Sequence, residues 1–216
     1  MLPPSVVVPP PPVSLAANTK LFVWKRGEEI HRIHAGQFAA NQFNPGFGNA
    51  RFSPIKDAGE AFIPTLYGGD NFGCAALESV FHDLPRGAGM KTYDGEKLKG
   101  QVHSVVAPTR DLQLIDLHTA PLKKLGVECK ELIDTEKDVY EQTRLWAAAI
   151  HTQRPDADGL VWPSRQADTK ALMIFGGRVK SDELVQLGKS RPLLEGDDPI
   201  AELVDVAETV GLNIIL

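Results

Sequence analysis

Five polar residues stand out because each lies beside an apolar segment of the sequence. Arg32 falls between Ile30 and Ile33 in a strand pattern, where a charge is costly unless it has a partner. The other four are Arg51 after a loop rich in Gly and Asn, Tyr67 before a double glycine, Glu78 beside an apolar helical stripe and Ser164 after an apolar strand. Arginine forks suit phosphate groups, and a carboxylate suits a developing positive charge. Taken singly, each residue also has a structural explanation, as a salt-bridge partner, a core aromatic, a solvated helix residue or a turn former.

Several common catalytic signatures are absent from the sequence. It contains no phosphate-binding G-x-x-x-x-G-K-[ST] loop, no H-E-x-x-H, no G-x-S-x-G and no paired C-x-x-C. Gly46-Phe47-Gly48 is only a fragment of a dinucleotide-binding fingerprint, since it lacks the third glycine and a preceding strand. His31 and His34 have a metal-like spacing, but residues three apart in a strand face opposite sides. We therefore predict no metal site.

Length and composition predict one globular domain with appended segments. The chain has 216 residues and a formal net charge of −5, which argues against a general nucleic-acid or membrane-surface binder. Its 2 cysteines are too few for a disulfide-stapled scaffold and fit a reducing compartment. No apolar run is long enough to span a bilayer. We expect a cytoplasmic protein.

The elements that must position these side chains are predicted from hydrophobic periodicity and turn residues. The predicted strands cover residues 29–34, 62–67, 98–106, 112–117, 159–162 and 171–175. The predicted helices run from a cap at Asp70 or Asn71 to residue 83, over residues 121–125, and onward from a capping box of Thr135 and Asp138. Strands and helices are interspersed without strict alternation, so the predicted class is α+β with a mixed or antiparallel sheet.

The two ends of the chain are predicted to lie outside this body. Residues 1–20 contain 6 of the 16 prolines and are interpreted as a disordered or extended arm, either a flexible tail or a clasp on a second subunit. Residues 21–190 form the predicted domain. Residues 188–198 are predicted to be a loop, and residues 191–216 a helix and short strand that pack on the same domain.

Five sequence blocks, taken in order, resemble the RES domain, which is named after an arginine, a glutamate and a serine. The blocks are residues 30–33 (IHRI), 49–53 (NARFS), 66–69 (LYGG), 75–79 (AALES) and 158–165 (DGLVWPSR). The resemblance spans roughly two-thirds of the chain. On it, Arg32 and Arg51 match the family's arginines, Tyr67 its tyrosine, Glu78 its glutamate and Ser164 its serine.

The resemblance implies a compact fold related to ADP-ribosyltransferases and an enzyme that consumes NAD as a substrate, with no further cofactor. It also implies the toxin of a toxin–antitoxin pair, whose partner is a helix-turn-helix (Xre-like) antitoxin. This chain departs from the usual pattern around the second arginine. Ala50 replaces the usual glycine, Phe52-Ser53 replaces the commoner Trp-Asn, and the segment 54–64 is longer than usual. These departures concern the rim of the pocket.

The residue types suit cleavage of NAD. Two arginines can hold the pyrophosphate, and the ring of Tyr67 can stack on nicotinamide or ribose. Nicotinamide leaves as a neutral molecule, so one carboxylate, Glu78, can stabilise the positive charge left on ribose or orient the nucleophile. Ser164 is expected to donate a hydrogen bond rather than attack, because no base partner is evident.

Three hypotheses remain open from the sequence. The first is a toxin that degrades free NAD as a glycohydrolase or phosphorylase. The second is an ADP-ribosyltransferase that modifies a protein, and the third is a binding or interaction module that keeps the scaffold without catalysis. A homodimer contact through the proline arm or the C-terminal helix is also left open.

Overall fold

The computed structural model describes residues 7–81, 89, 91–164 and 169–215. Its strands are β1 (Leu21–Trp24), β2 (Ile30–Ala35), β3 (Ile55–Lys56), β4 (Phe62–Ile63), β5 (Thr65–Gly69), β6 (Lys91–Asp94), β7 (Gln101–Pro108), β8 (Leu112–Asp116), β9 (Gly159–Pro163), β10 (Lys170–Phe175), β11 (Leu184–Pro192) and β12 (Leu212–Ile215). Its α-helices are α1 (Leu15–Asn18), α2 (Phe72–Ser79), α3 (Thr119–Lys124), α4 (Cys129–Leu132), α5 (Tyr140–Gln153) and α6 (Asp197–Thr209).

One large mixed sheet organises the molecule. Its eight strands follow the order β1-β8-β9-β10-β5-β2-β7-β11. Neighbouring strands are antiparallel except for the parallel pair β8 and β9. The α+β class with a mixed sheet, predicted from the interspersed elements, is confirmed.

Three apolar clusters pack against this sheet. The largest lies under α5, where the predicted stripe that includes Trp146, Ala147 and Ile150 is buried. A second cluster covers the opposite face around Trp24. The third joins α2 to the C-terminal α6 and β12 through residues such as Phe72 and Leu203. The C-terminal helix and strand thus cover α2, the helix that carries Glu78.

The described part of the proline-rich arm packs on its own chain. The indole Nε1 of Trp146 donates a hydrogen bond to the carbonyl oxygen of Pro9 over 2.7 Å. Val8 and Leu15 are buried in the cluster under α5. Val8, Pro9 and Leu15 therefore attach this part of the arm to the body.

Several predicted boundaries are wrong for local reasons. The segment 62–67 is two strands, because Pro64 has no N–H and separates β4, which pairs with β3, from β5, which pairs with β10. Residues 95–98 form a 3₁₀ turn rather than the start of a strand. The capping box at Thr135 and Asp138 does not open a helix, since a 3₁₀ turn at Lys137–Val139 precedes α5.

Two further corrections concern chain segments predicted to be loops or turns. The start of the predicted loop 188–198 belongs to β11, a strand that pairs with β7 at the edge of the sheet. Gly68 and Gly69 do not turn the chain but end β5. The turn follows them, and Asn71 caps α2 by accepting a hydrogen bond from the N–H of Cys74 over 2.7 Å. The helix ends at Ser79; its predicted end at residue 83 lies outside the described residues.

The double glycine has a packing cause. A Cβ at Gly68 would lie 2.5 Å from Cγ2 of Ile30, and one at Gly69 would lie 2.5 Å from Sγ of Cys74. Glycine therefore lets β5 approach both β2 and α2 closely. This approach brings the strand that carries Arg32 and the helix that carries Glu78 to the same strand, which carries Tyr67.

Candidate active site

A cavity opens where the large sheet separates between β2 and β5. These strands share one residue pair, His31 with Gly69. Past that pair, Thr65 bonds instead to Asn44 through a two-way backbone bridge. The cavity has a volume of about 520 Å³, within the range of small-molecule sites. It is lined by Arg32 and Tyr67 from the two strands and by the connecting loop, with Phe38 and Phe47 among its residues.

Arg32 is a buried cation on the cavity wall. Its side chain is 9% exposed, and its Nη1 donates hydrogen bonds to the carbonyl oxygens of Ala40 at 2.6 Å and Gln42 at 3.1 Å. Nε has no hydrogen-bond partner, and no carboxylate of the described residues pairs with the guanidinium. Burial lowers the pKa of Arg32 to about 10, so it stays charged at neutral pH.

Tyr67 connects the cavity to the segment that carries Arg51. Its hydroxyl oxygen accepts a hydrogen bond from the N–H of Phe52 over 3.2 Å, and its ring contacts Trp162 edge-on at 6.0 Å. Burial raises the pKa of Tyr67 to about 12, although Ser53, Phe52 and Arg51 partly oppose the shift. The phenol is therefore neutral at physiological pH and poorly suited to act as a base.

The backbone around Arg51 is fixed from both sides. The carbonyl oxygen of Arg51 accepts a hydrogen bond from the Thr143 hydroxyl on α5. Arg144, on the same helix, donates from Nε to the carbonyl oxygen of Ala50 over 3.1 Å. The ring of Phe52 is fully buried against Trp162 at 5.1 Å. The residues that depart from the usual family pattern, Ala50 and Phe52, thus anchor the loop.

Arg51, Glu78 and Ser164 meet from three separate regions of the chain. Ser164, just past the end of β9, donates from Oγ to Oε1 of Glu78 over 3.0 Å. Nη1 of Arg51 lies 3.5 Å from Oε2 of the same carboxylate. This is longer than a charge-assisted hydrogen bond, and Nε of Arg51 has no partner among the described residues. The guanidinium, only 6% exposed, therefore keeps donors for a ligand.

The neighbouring thiol is poorly suited to nucleophilic attack. Burial raises the pKa of Cys74 to about 12, and the charges of Glu78 and Asp70 act in the same direction. A thiol with this pKa carries almost no thiolate at neutral pH. We therefore do not count Cys74 among the candidate catalytic residues.

The five residues singled out in the sequence thus form two connected groups. Arg32 and Tyr67 line one cavity, while Arg51, Glu78 and Ser164 contact one another. The hydroxyl of Tyr67 joins the groups through the backbone beside Arg51. Residue 165, the last of the matched blocks, lies outside the described residues.

Sequence reasoning missed the groups that orient the two arginines. The carbonyl oxygens of Ala40 and Gln42 hold Arg32, and Thr143 and Arg144 hold the backbone at residues 50 and 51. Every residue has a backbone carbonyl oxygen, so residue type alone cannot show which of these oxygens accepts a hydrogen bond from an arginine. Arg144 carried a weak signal, as a cation beside the buried stripe of α5.

The two histidines noted for their spacing belong to different networks. Nδ1 of His31 lies 3.0 Å from Nε2 of His103, whereas Nε2 of His34 lies 2.8 Å from the Ser104 hydroxyl. Within residues 7–81, 89, 91–164 and 169–215, no group of three or more His, Cys, Asp or Glu could hold a metal ion. In the same ranges no helix is long and apolar enough to cross a membrane.

The chain is similar to known proteins in sequence and in fold. The family model of the RES domain matches residues 29–193, well over half of the chain. The crystal structure of the M. tuberculosis MbcT–MbcA toxin–antitoxin complex contains a similar chain, with a TM-score of 0.61 and 16% sequence identity. The match covers 88% of this chain and 92% of that one. No curated protein matches the sequence. The similarity shows that this chain shares the fold of that chain.

Proposed function

The chain belongs to the RES domain family, and from that premise we propose that it cleaves the nicotinamide–ribose bond of NAD and depletes NAD as the toxin of a toxin–antitoxin pair. The observation that carries the proposal is the meeting of Arg51, Glu78 and Ser164 beside the cavity that Arg32 and Tyr67 line. Two arginines suit the two phosphates of a dinucleotide, and an aromatic ring and a carboxylate suit its cationic nicotinamide ribose.

The arginines supply the binding energy for the pyrophosphate. Arg32 is a buried cation without a carboxylate partner among the described residues, which is costly, and an anionic ligand offsets that cost. Arg110 provides the contrast within the same chain, since it forms two hydrogen bonds to Asp158 at 2.7 and 2.8 Å and one to Glu183 at 2.8 Å. The carboxylates of Asp158 and Glu183 thus occupy the donors of Arg110. In contrast, Nε of Arg32 and Nε of Arg51 have no hydrogen-bond partner among the described residues.

Glu78 acts on the reacting carbon. The bond between ribose C1′ and the nicotinamide nitrogen breaks, and its electron pair goes to nitrogen, which cancels the ring's positive charge. Positive charge then grows on C1′, where the carboxylate stabilises it. Ser164 donates a hydrogen bond to one oxygen of Glu78, and Arg51 lies 3.5 Å from the other, so the carboxylate is oriented before the reaction begins.

The acceptor of the ADP-ribose defines the type of enzyme. Attack by water releases ADP-ribose and a proton, so the protein is a glycohydrolase. Attack by inorganic phosphate gives the phosphorylase reaction. We favour these two over transfer to a protein side chain by analogy with the RES domain family, whose resemblance implies enzymes that consume NAD.

The test is to incubate the purified protein with NAD, with and without inorganic phosphate, and to quantify NAD, nicotinamide and the ribosyl product. We expect nicotinamide to appear in step with NAD loss. Stimulation by phosphate assigns the phosphorylase reaction. Labelling of a protein by biotinylated NAD with little loss of free NAD would favour the transferase instead. If neither reaction occurs, the protein is better explained as a non-catalytic module.

We also propose an antitoxin partner and a cytoplasmic location for the protein. An enzyme that drains cytoplasmic NAD must be held inactive by the cell that makes it, so we propose a cognate helix-turn-helix antitoxin that covers the cavity. A first check is whether the neighbouring open reading frame encodes a helix-turn-helix protein. Co-expression should restore growth and NAD content, and toxicity unaffected by that partner would argue against the pairing.

A further inference from the structure

The loop that closes the cavity presents two aromatic rings that the proposed chemistry does not use. Phe47 is 77% exposed and Phe38 is 45% exposed, and both line the cavity. Phe43 also lines it but packs against the core, where it closely approaches Gly176. Phe38 and Phe47 are thus the rings of this loop with a face free for a ligand.

The position of Phe47 is fixed by its own turn. Oδ1 of Asn44 accepts hydrogen bonds from the N–H groups of Gly46 at 3.0 Å and Phe47 at 2.8 Å. Nδ2 of Asn44 donates to the carbonyl oxygen of Phe47 over 2.9 Å. Gly46 has a φ of 126°, and a Cβ there would lie 2.8 Å from the ring of Phe62. The turn therefore holds an exposed ring at the cavity instead of letting it fold inward.

The turn is tied in addition to the strand that carries Tyr67. The backbone of Asn44 pairs with Thr65 by hydrogen bonds of 2.8 and 2.9 Å. Thr65 lies two residues before Tyr67 on β5, and both line the cavity. Arg32 fixes the other side of the loop through the carbonyl oxygens of Ala40 and Gln42. The two exposed rings are thus placed relative to both Tyr67 and Arg32.

From this arrangement we infer that Phe47, together with Phe38, is the platform on which the adenine base of the dinucleotide stacks. This inference rests on the proposed function. The reacting ribose lies at the Glu78 end, beyond Tyr67, and the arginines hold the phosphates. The second base of the dinucleotide then falls at the loop end of the cavity, where a flat apolar surface suits its ring.

Stacking on Phe38 and Phe47 does not by itself distinguish adenine from another aromatic base. Every nucleobase has a π face, so stacking tolerates exchange of one base for another. The polar atoms of Asn44 are consumed by its turn. We therefore expect the hypoxanthine analogue of NAD to be cleaved with a KM within a few-fold of that of NAD. Nicotinamide mononucleotide, which lacks the adenylate half, is expected to be a much weaker substrate.

The experiment compares Phe47→Ala with the wild-type protein on NAD and on nicotinamide mononucleotide. We expect the KM for NAD to rise about 5-fold to 150-fold, the range for loss of one base–aromatic stack, with kcat little changed. The kinetics with the mononucleotide should not change. Phe47→Trp should retain the wild-type KM, and Leu145→Ala, at another exposed apolar residue, is the matched control. AMP should inhibit the wild type more strongly than Phe47→Ala.

The outcomes separate this inference from the proposed function. Cleavage of NAD by the wild type with an unchanged KM in Phe47→Ala would overturn the platform and leave the proposed function standing. An equal loss on both substrates would likewise overturn it, because the ring would then support the site as a whole. A wild-type protein that neither cleaves NAD nor binds AMP in calorimetry would overturn both.

Discussion

Replacing Arg32 with methionine separates a role in binding from a role in folding. Burial lowers the pKa of Arg32 to about 10, well below the usual value of an arginine, and at about 1.4 kcal/mol per pH unit this places the cost of the buried charge at about 3 kcal/mol. Methionine removes that cost. It also removes the hydrogen bonds to Ala40 and Gln42, worth about 1.5 kcal/mol each from a charged donor. The two effects offset each other, so the free energy of unfolding should stay within about 1 kcal/mol of the wild type.

Arg110→Met is the matched control. Arg110 pairs with Asp158 and Glu183, and these hydrogen bonds raise its pKa. Its removal leaves the buried carboxylate of Asp158 without its ion-pair partner. Loss of one member of such a pair costs about 3 kcal/mol, the lower end of the range because Arg110 is partly exposed. The two arginine variants should therefore differ clearly in urea denaturation.

For ligand binding we expect the opposite result: Arg32→Met should weaken it and Arg110→Met should not. ADP-ribose at about 100 times its Kd should stabilise the wild type by about 2.7 kcal/mol, measured as a rise in Tm, and should stabilise Arg32→Met far less. Arg110→Met should keep the response. The reasoning is refuted if Arg32→Met loses as much stability as Arg110→Met, or if ADP-ribose stabilises it as much as the wild type.

Three further predictions address the site and the fold around it. Ser164→Ala removes one hydrogen bond to the Glu78 carboxylate and should lower kcat by roughly 10-fold to 100-fold, whereas an unchanged kcat in steady-state assays would exclude a positioning role. His103, whose pKa is lowered to about 3 by burial and by His31 and Arg191, binds a proton in the unfolded state from about pH 6.5 downward. Stability should therefore fall as pH drops from 6.5 toward 3, by at most about 1.4 kcal/mol per pH unit from this group, and a His103→Gln variant with the same pH slope in urea titrations would count against it. Gly68→Ala should cost about 1–3 kcal/mol by overpacking against β2, while Gly177→Ala, with nothing within 4 Å of its Cβ, should cost little.

The sequence predicts the elements whose periodicity is set by local burial. The strand at β2 and the apolar stripe of α5 follow from alternation and helical spacing, and both are observed within a few residues. Strand β11 was missed because most of its residues are exposed, so no alternation marks it. Its position is set by pairing with β7, a contact far apart in sequence.

The site could be predicted as a set of residues but not as an arrangement. The matched blocks name Arg51, Glu78 and Ser164, yet only the folded chain brings a loop, the end of a helix and the end of a strand together. The backbone acceptors of Arg32 and the turn that presents Phe47 depend on main-chain geometry. Residue types at fixed spacing do not encode that geometry.

The measurement that tests the central claim most directly is nicotinamide release from NAD by the wild type and by Glu78→Gln, under conditions in which both bind ADP-ribose. Glutamine keeps the shape of the side chain and removes its charge, so we predict binding within a few-fold and turnover reduced at least about 100-fold. Glu208→Gln, at an exposed position of α6, should match the wild type. Release of nicotinamide by Glu78→Gln at the wild-type rate, or its absence from the wild type, would contradict the account.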